Sequence, residues 1–126
     1  MRLALAALWT AAILAACSIP GPELQETNLP LSHDKWAHAA LFFGFGWLWL
    51  RAFPDRLGAV AAAGAAFAAF TEVWQSALPI GRSGDVYDVL ADVAGLALAV
   101  GAWHVWRRRT GTTVDAPEQL PRPRRV

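Results

Sequence analysis

The stretch LGAVAAAGAAFAAFTEVWQSAL, residues 57–78, carries a single charge, Glu72, and no proline. A helix crossing about 30 Å of hydrocarbon needs ~20 apolar residues, with ~17–25 observed. Residues 57–78 therefore read as a membrane-spanning helix. Working outward, three more apolar stretches qualify by the same measure, at 3–19, 36–53 and 86–106, the first two narrowly. Helices are the expected form, because four strands cannot close a barrel and open sheet edges are excluded from lipid. The connections agree. Pro54-Asp55-Arg56 is a tight hairpin, and residues 79–85, which include Pro79, Gly81 and Gly84, make a short loop. The expected fold is all-α, a four-transmembrane-helix bundle over residues 1–106, followed by a basic, aperiodic and disordered tail at 107–126.

Composition supports this partition. The chain of 126 residues is one domain long and 56% hydrophobic. The four stretches make up most of the chain, yet the only charges in them are Arg51, Glu72, Asp88 and Asp92. That distribution excludes a soluble enzyme of ordinary design. The single cysteine, Cys17, leaves no partner for an intramolecular disulfide. There is no phosphate-cradling glycine loop, no zinc-type cysteine cluster and no basic stripe interleaved with aromatics, so no nucleic-acid partner is expected.

Lys and Arg set the orientation. With the N-terminus inside, the cytoplasmic side receives nine of them: Arg2, Arg51, Arg56, Arg107, Arg108, Arg109, Arg122, Arg124 and Arg125. The outer side receives two, Lys35 and Arg82. Both termini are expected to be cytoplasmic, with the loops at 20–35 and 79–85 facing outward. Trp36, Trp47, Trp49, Trp103 and Trp106 fall near span ends, where indoles favour the interface. Leu14-Ala15-Ala16-Cys17 also reads as a lipoprotein cleavage box, whose use would remove the first span. Small residues before a cysteine arise readily in an alanine-rich helix, and an uncleaved span is the expectation.

The informative residues break the apolar pattern. An ionisable group deep in a span costs ~2.5–3.5 kcal/mol on insertion scales, so it normally faces the bundle interior beside a partner. Asp34 and His38 are i,i+4, placing a carboxylate where it can orient an imidazole, with Lys35 between them in sequence. Glu72 and Gln75 are i,i+3, and Glu72 lies ~9 Å below the outer boundary at the ordinary helical rise. Asp85, Asp88 and Asp92, spaced 3 and 4, form one acidic stripe. Such a stripe repels itself and needs a compensating cation. Arg82 stands on the loop between the last two spans, within reach of both. The stripes continue as small residues, Gly95, Ala99 and Ala102 on one helix and Ala68, Ala65 and Ala61 on the other, which let helices approach closely in lipid. Asp34, Lys35, His38, Glu72, Gln75, Arg82, Asp85, Asp88 and Asp92 are thus the expected polar site, open to the outer side. Duller roles stay open: helix N-caps for Asp34 and Asp85, an interfacial anchor for Lys35 and a structural ion pair for Glu72 and Arg82. His104 reads as an interfacial residue without a role. His38 with Glu72, Asp88 and Asp92 matches no dedicated metal motif, and no metal or cofactor is expected.

Asp34-Lys35 with His38, Glu72-x-x-Gln75, and Arg82-x-x-Asp85-x-x-Asp88-x-x-x-Asp92-x-x-Gly95, in that order, resemble the VanZ-like family of small bacterial membrane proteins. The resemblance runs from about Leu3 to Trp106 and includes the Ser18-Ile19-Pro20 exit of the first span. Many members carry Asn where Asp92 stands, so a charge there is not obligatory for the fold. The resemblance implies a four-helix domain in the bacterial cytoplasmic membrane, and a link to glycopeptide antibiotic susceptibility. Two functions fit the residues. One is binding or modification of a cell-envelope lipid or glycolipid, with Arg82 and Lys35 on an anionic group and the acids on a cationic or sugar group. The other is an intramembrane hydrolase or transferase on a lipid-linked substrate, with His38 as general acid or base and Arg82 stabilising negative charge. Membrane lipids are the expected partners in both.

Overall fold

The computed structural model describes residues 1–20, 35–81 and 84–111. Those residues form four helices and no strand: α1 (Arg2–Cys17), α2 (Lys35–Ala52), α3 (Leu57–Ala77) and α4 (Val86–Arg109). The predicted stretches and the helices nearly coincide, except that α4 continues past Trp106. Arg107, Arg108 and Arg109 sit in its last turn, where positive charge suits the C-terminal end of the helix dipole. Arg107 also donates to the Pro54 carbonyl at 3.0 Å and pairs with Asp55 at 3.2 Å, tying the end of α4 to the α2–α3 turn. Residues 112–126, most of the predicted tail, lie outside the described residues. α3 and α4 are each long and apolar enough to cross a membrane by length and composition, and α1 is a shorter apolar helix.

Contacts between the helices give their directions. Lys35, at the start of α2, meets Asp85, just before α4, whereas Trp47 near the end of α2 stacks edge-on against Trp103 and Trp106 near the end of α4. The two helices are parallel and form the most extensive pair in the fold. Their closeness comes from small residues. A Cβ on Gly95 would overlap the Ala39 carbonyl, and one on Gly46 would lie 2.8 Å from the Ala99 Cβ. α1 and α3 run the other way. Three indoles attach α1 to its neighbours: Trp9 donates to the Leu41 carbonyl, Trp49 to Thr10 Oγ1 and Trp74 to Ser18 Oγ, at 2.9, 3.0 and 3.0 Å.

The core gathers Ile13 and Cys17 from α1, Phe42 and Phe45 from α2, Ala68 from α3 and Leu96 from α4. A second cluster of Leu50, Val60 and Trp103 lies toward the Arg107 end. The buried row of α3 is Val60, Gly64, Ala68, Thr71 and Gln75. This corrects the expected stripe of Ala68, Ala65 and Ala61, because Ala65 is exposed and Ala61 only half-buried. An alanine-rich helix has no strongly amphipathic face, so the partner selects the face; Gly64 is chosen because a Cβ there would meet Leu96 at 2.7 Å.

Cys17 is 6% exposed within the central cluster. Cleavage before it would remove Ile13, Thr10 and Trp9 from their contacts. Cys17→Ser is therefore expected to leave electrophoretic mass and membrane retention unchanged. Loss of a palmitate label, or accumulation of a precursor, is the opposite result and would place a lipid on this residue.

Candidate functional site

Helix α4 presents its acids at one face by periodicity alone, since residues three and four apart lie above one another. That face is turned onto α2. Asp85 is the N-cap of α4: its carboxylate accepts the Tyr87 backbone N–H at 2.9 Å, and Asp88 sits in the first turn, where negative charge complements the helix dipole. Lys35 Nζ lies 3.0 Å from Asp85 Oδ2 and 3.0 Å from Asp88 Oδ1, and 5.4 Å from the centre of the Tyr87 ring. One turn further, His38 stands between the next two acids, its Nε2 3.6 Å from Asp88 Oδ2 and its Nδ1 3.0 Å from Asp92 Oδ1. When Asp92 is ionised it only accepts, and Nδ1 then carries the proton of this contact. The compensating cation that the acidic stripe requires is supplied from α2.

Exposure falls steadily along this chain of contacts. The Lys35 side chain is 50% exposed, Asp88 21%, His38 14% and Asp92 2%. Asp92 is among the largest fully buried side chains of the protein, beside Phe42, Ile13 and Leu50. A polar path therefore enters at the end of the α2–α4 pair and stops within the core.

Glu72 joins from α3. Its Oε1 accepts the Asp85 backbone N–H, and Ser76 Oγ donates to the Glu72 carbonyl at 2.9 Å. Gly84 makes this approach possible, because a Cβ there would lie 2.5 Å from Ser76 Oγ and 2.7 Å from Glu72 Oε1. Gln75 is buried on the same helix, yet among the described residues no hydrogen bond ties it to the α2–α4 chain. Asp34 and Arg82 lie outside the described residues, so the expected orienting role of Asp34 and the Glu72–Arg82 pair fall there too. The orienting carboxylate on His38 Nδ1 is Asp92, which local sequence spacing cannot reveal because the two residues are far apart in the chain. Gly84 is a positioning residue that sequence reasoning misses; its only signal is a glycine directly before an N-capping aspartate.

At the exposed end the electrostatics are clear. The Tyr87 N–H, and next Lys35, hold the Asp85 carboxyl below its ordinary 3.8, while Asp85 and Asp88 hold the Lys35 ammonium above its ordinary 10.5. The depressed Asp85 adds stability above 3.8 that is lost as pH falls through its lower folded value; the raised Lys35 adds stability below 10.5 that is lost as pH rises through its higher one. The melting-temperature difference between wild type and Lys35→Met is thus expected to stay flat from about pH 5 to about pH 9 and to shrink with salt. A slope across neutral pH would show that another group governs this contact.

With Lys35 and His38 set against Asp85, Asp88, Asp92 and Glu72, carboxylates outnumber cations in the described cluster. It is suited to hydroxyl or ammonium donors more than to anions. The family model described as VanZ/LLP1 matches residues 4–107. No curated protein and no solved structure matches the chain.

Proposed function

Because the chain belongs to the VanZ/LLP1 family, we propose that it is a four-span protein of the bacterial cytoplasmic membrane whose outward polar site binds the headgroup of a cell-envelope lipid or glycolipid. The observation that carries this reading is the polar path from Lys35 to the fully buried Asp92. A structural ion pair needs two groups; here six ionisable side chains converge, and those within the spans, His38, Glu72, Asp88 and Asp92, carry an insertion cost that stability alone does not account for. Both acids nearest the opening already hold Lys35, so this lysine is engaged rather than waiting for an anion. A hydroxyl-rich or cationic headgroup is the better match, with any anionic group falling to Arg82. The four-span placement is supported by large apolar side chains on the outside of the helices, with Leu8, Val73 and Leu98 68%, 67% and 64% exposed. The orientation rests on the nine-to-two division of Lys and Arg between the two ends.

His38 favours a second reading, an intramembrane hydrolase or transferase. Its Nδ1 lies 3.0 Å from a buried carboxylate, which orients the ring and turns Nε2 toward Asp88 as the nitrogen that would exchange a proton.

Two measurements test the proposal. A reporter fused after Val126 should behave as cytoplasmic and one inserted within residues 23–31 as external; the reverse pattern overturns the orientation. Native mass spectrometry of mildly extracted protein should show an envelope lipid or glycolipid retained by wild type and lost from Asp88→Asn and Glu72→Gln at unchanged protein level. An equal number of bound lipids on all three proteins overturns the site. Sensitivity to envelope-directed antibiotics, compared across the same variants, reads the cellular consequence.

A further inference from the structure

At the opposite end of the molecule, α1, α2 and α3 enclose an open cavity of about 320 Å³, within the range of small-molecule sites. Phe45, Phe67, Val60 and Ala63 form much of its wall, with Thr10 and Arg56 the polar contributors. Thr10 offers a ligand little, because its hydroxyl donates to the Ala6 carbonyl at 2.9 Å and accepts from Trp49 Nε1 at 3.0 Å. Water in a cavity needs two to four polar partners, and this wall supplies too few to hold it. The interior suits hydrocarbon.

The mouth has the opposite character. Arg56 lines it and is also the N-cap of α3, a helix with no side-chain cap and no acid in its first turn. Its sequence neighbour Asp55 is engaged by Arg107, and among the described residues no carboxylate pairs with Arg56. Among the described residues, then, a guanidinium with no paired carboxylate stands beside the positive end of a helix dipole. Each attracts an anion, and a phosphate accepts from both guanidinium and backbone N–H. A Cβ on Gly58, in that first turn, would meet nothing within 4 Å, so the approach is open.

We infer that this cavity is a binding site for an anionic phospholipid, with one acyl chain between α1, α2 and α3 and the phosphate at Arg56 and the α3 N-terminus. Charge complementarity selects the lipid. The end that carries Arg56 also carries Arg51 and Arg107–Arg109, and the cytoplasmic leaflet is the anionic one. This site rests on the membrane placement and orientation proposed above, and not on the polar site at the other end.

The test uses the full chain reconstituted in vesicles of equimolar phosphatidylglycerol and phosphatidylcholine, extracted gently into neutral detergent and weighed by native mass spectrometry. Wild type should retain one phosphatidylglycerol per chain in roughly tenfold preference, the order expected of one charge-assisted hydrogen bond. Arg56→Gln should retain one lipid with that preference lost. Ala63→Phe, which fills the cavity, should retain none, and Ala59→Leu at the rim provides the same test if the larger residue lowers expression. Arg51→Gln should behave as wild type, because Arg51 shares this end of the molecule but does not line the cavity. No stoichiometric lipid on wild type, an unchanged preference in Arg56→Gln, or full retention by both cavity-filling variants would overturn the inference.

Discussion

Gly95→Leu is expected to abolish accumulation of folded protein, and Gly95→Ala to lower the melting temperature markedly. A Cβ at this position overlaps the Ala39 carbonyl, carbon and Cα, all of them helix backbone. Backbone within a helical ladder cannot rotate aside as a side chain can, so α2 and α4 must separate along their length. Overpacking costs ~1–3 kcal/mol even where side chains absorb it, against a total stability of ~5–15 kcal/mol. The consequence reaches the polar site. Ala39 follows His38, and Gly95 lies one turn past Asp92, so widening the pair at this point draws the imidazole from its carboxylate. Gly101 provides the control: it lies on the same helix, and a Cβ added there would meet nothing within 4 Å. Gly101→Ala should hold or raise the melting temperature, by up to about 1 kcal/mol in helix propensity. Thermal unfolding in detergent, alongside membrane protein level, checks both. Near-equal melting of Gly95→Leu and wild type would contradict the close α2–α4 packing.

The second large effect concerns His38 and Asp92. Asp92→Leu and His38→Leu should each destabilise strongly, by up to ~3–5 kcal/mol, because each strands one member of a largely buried pair. The double replacement should fold better than either single, since removing a buried ion pair altogether is often neutral. It should nevertheless lose the retained envelope lipid. Asp92→Asn should be the mildest variant, because the amide keeps an oxygen that accepts from Nδ1–H. Melting temperatures of the four variants give the coupling directly. If the double mutant is as unstable as the sum of the singles, the two residues are not acting as a pair. If it is stable and still retains lipid, the pair is structural only.

The site residues are legible in the sequence to different depths. Asp85, Asp88 and Asp92 can be placed on one face because helical spacing is local, and their need for a cation follows from like charges on one stripe. Lys35 and His38 as that cation, and Asp92 as the group that orients His38, are not legible. These contacts join segments far apart in the chain. Glu72 is legible as a group that needs a partner, but not in which partner it finds, since it accepts a backbone N–H, and no side-chain pattern encodes that bond.

Reading the residues alone settles the helical class, the four helix positions and the place of each ionisable group along its helix. Apolar length, prolines at the breaks and the fixed helical rise are properties of the segment itself. It leaves open which face of each helix meets which neighbour. Alanine and glycine recur on every side of α3, so its sequence gives almost no preference among faces. Packing makes the choice: Gly95 and Gly46 admit α2 against α4, Gly64 admits Leu96 against α3, and those approaches bring His38 to Asp92. Helix formation is driven by bonds within one turn, whereas helix pairing is driven by shape matched between distant turns, and shape of that kind exists only once the helices are packed.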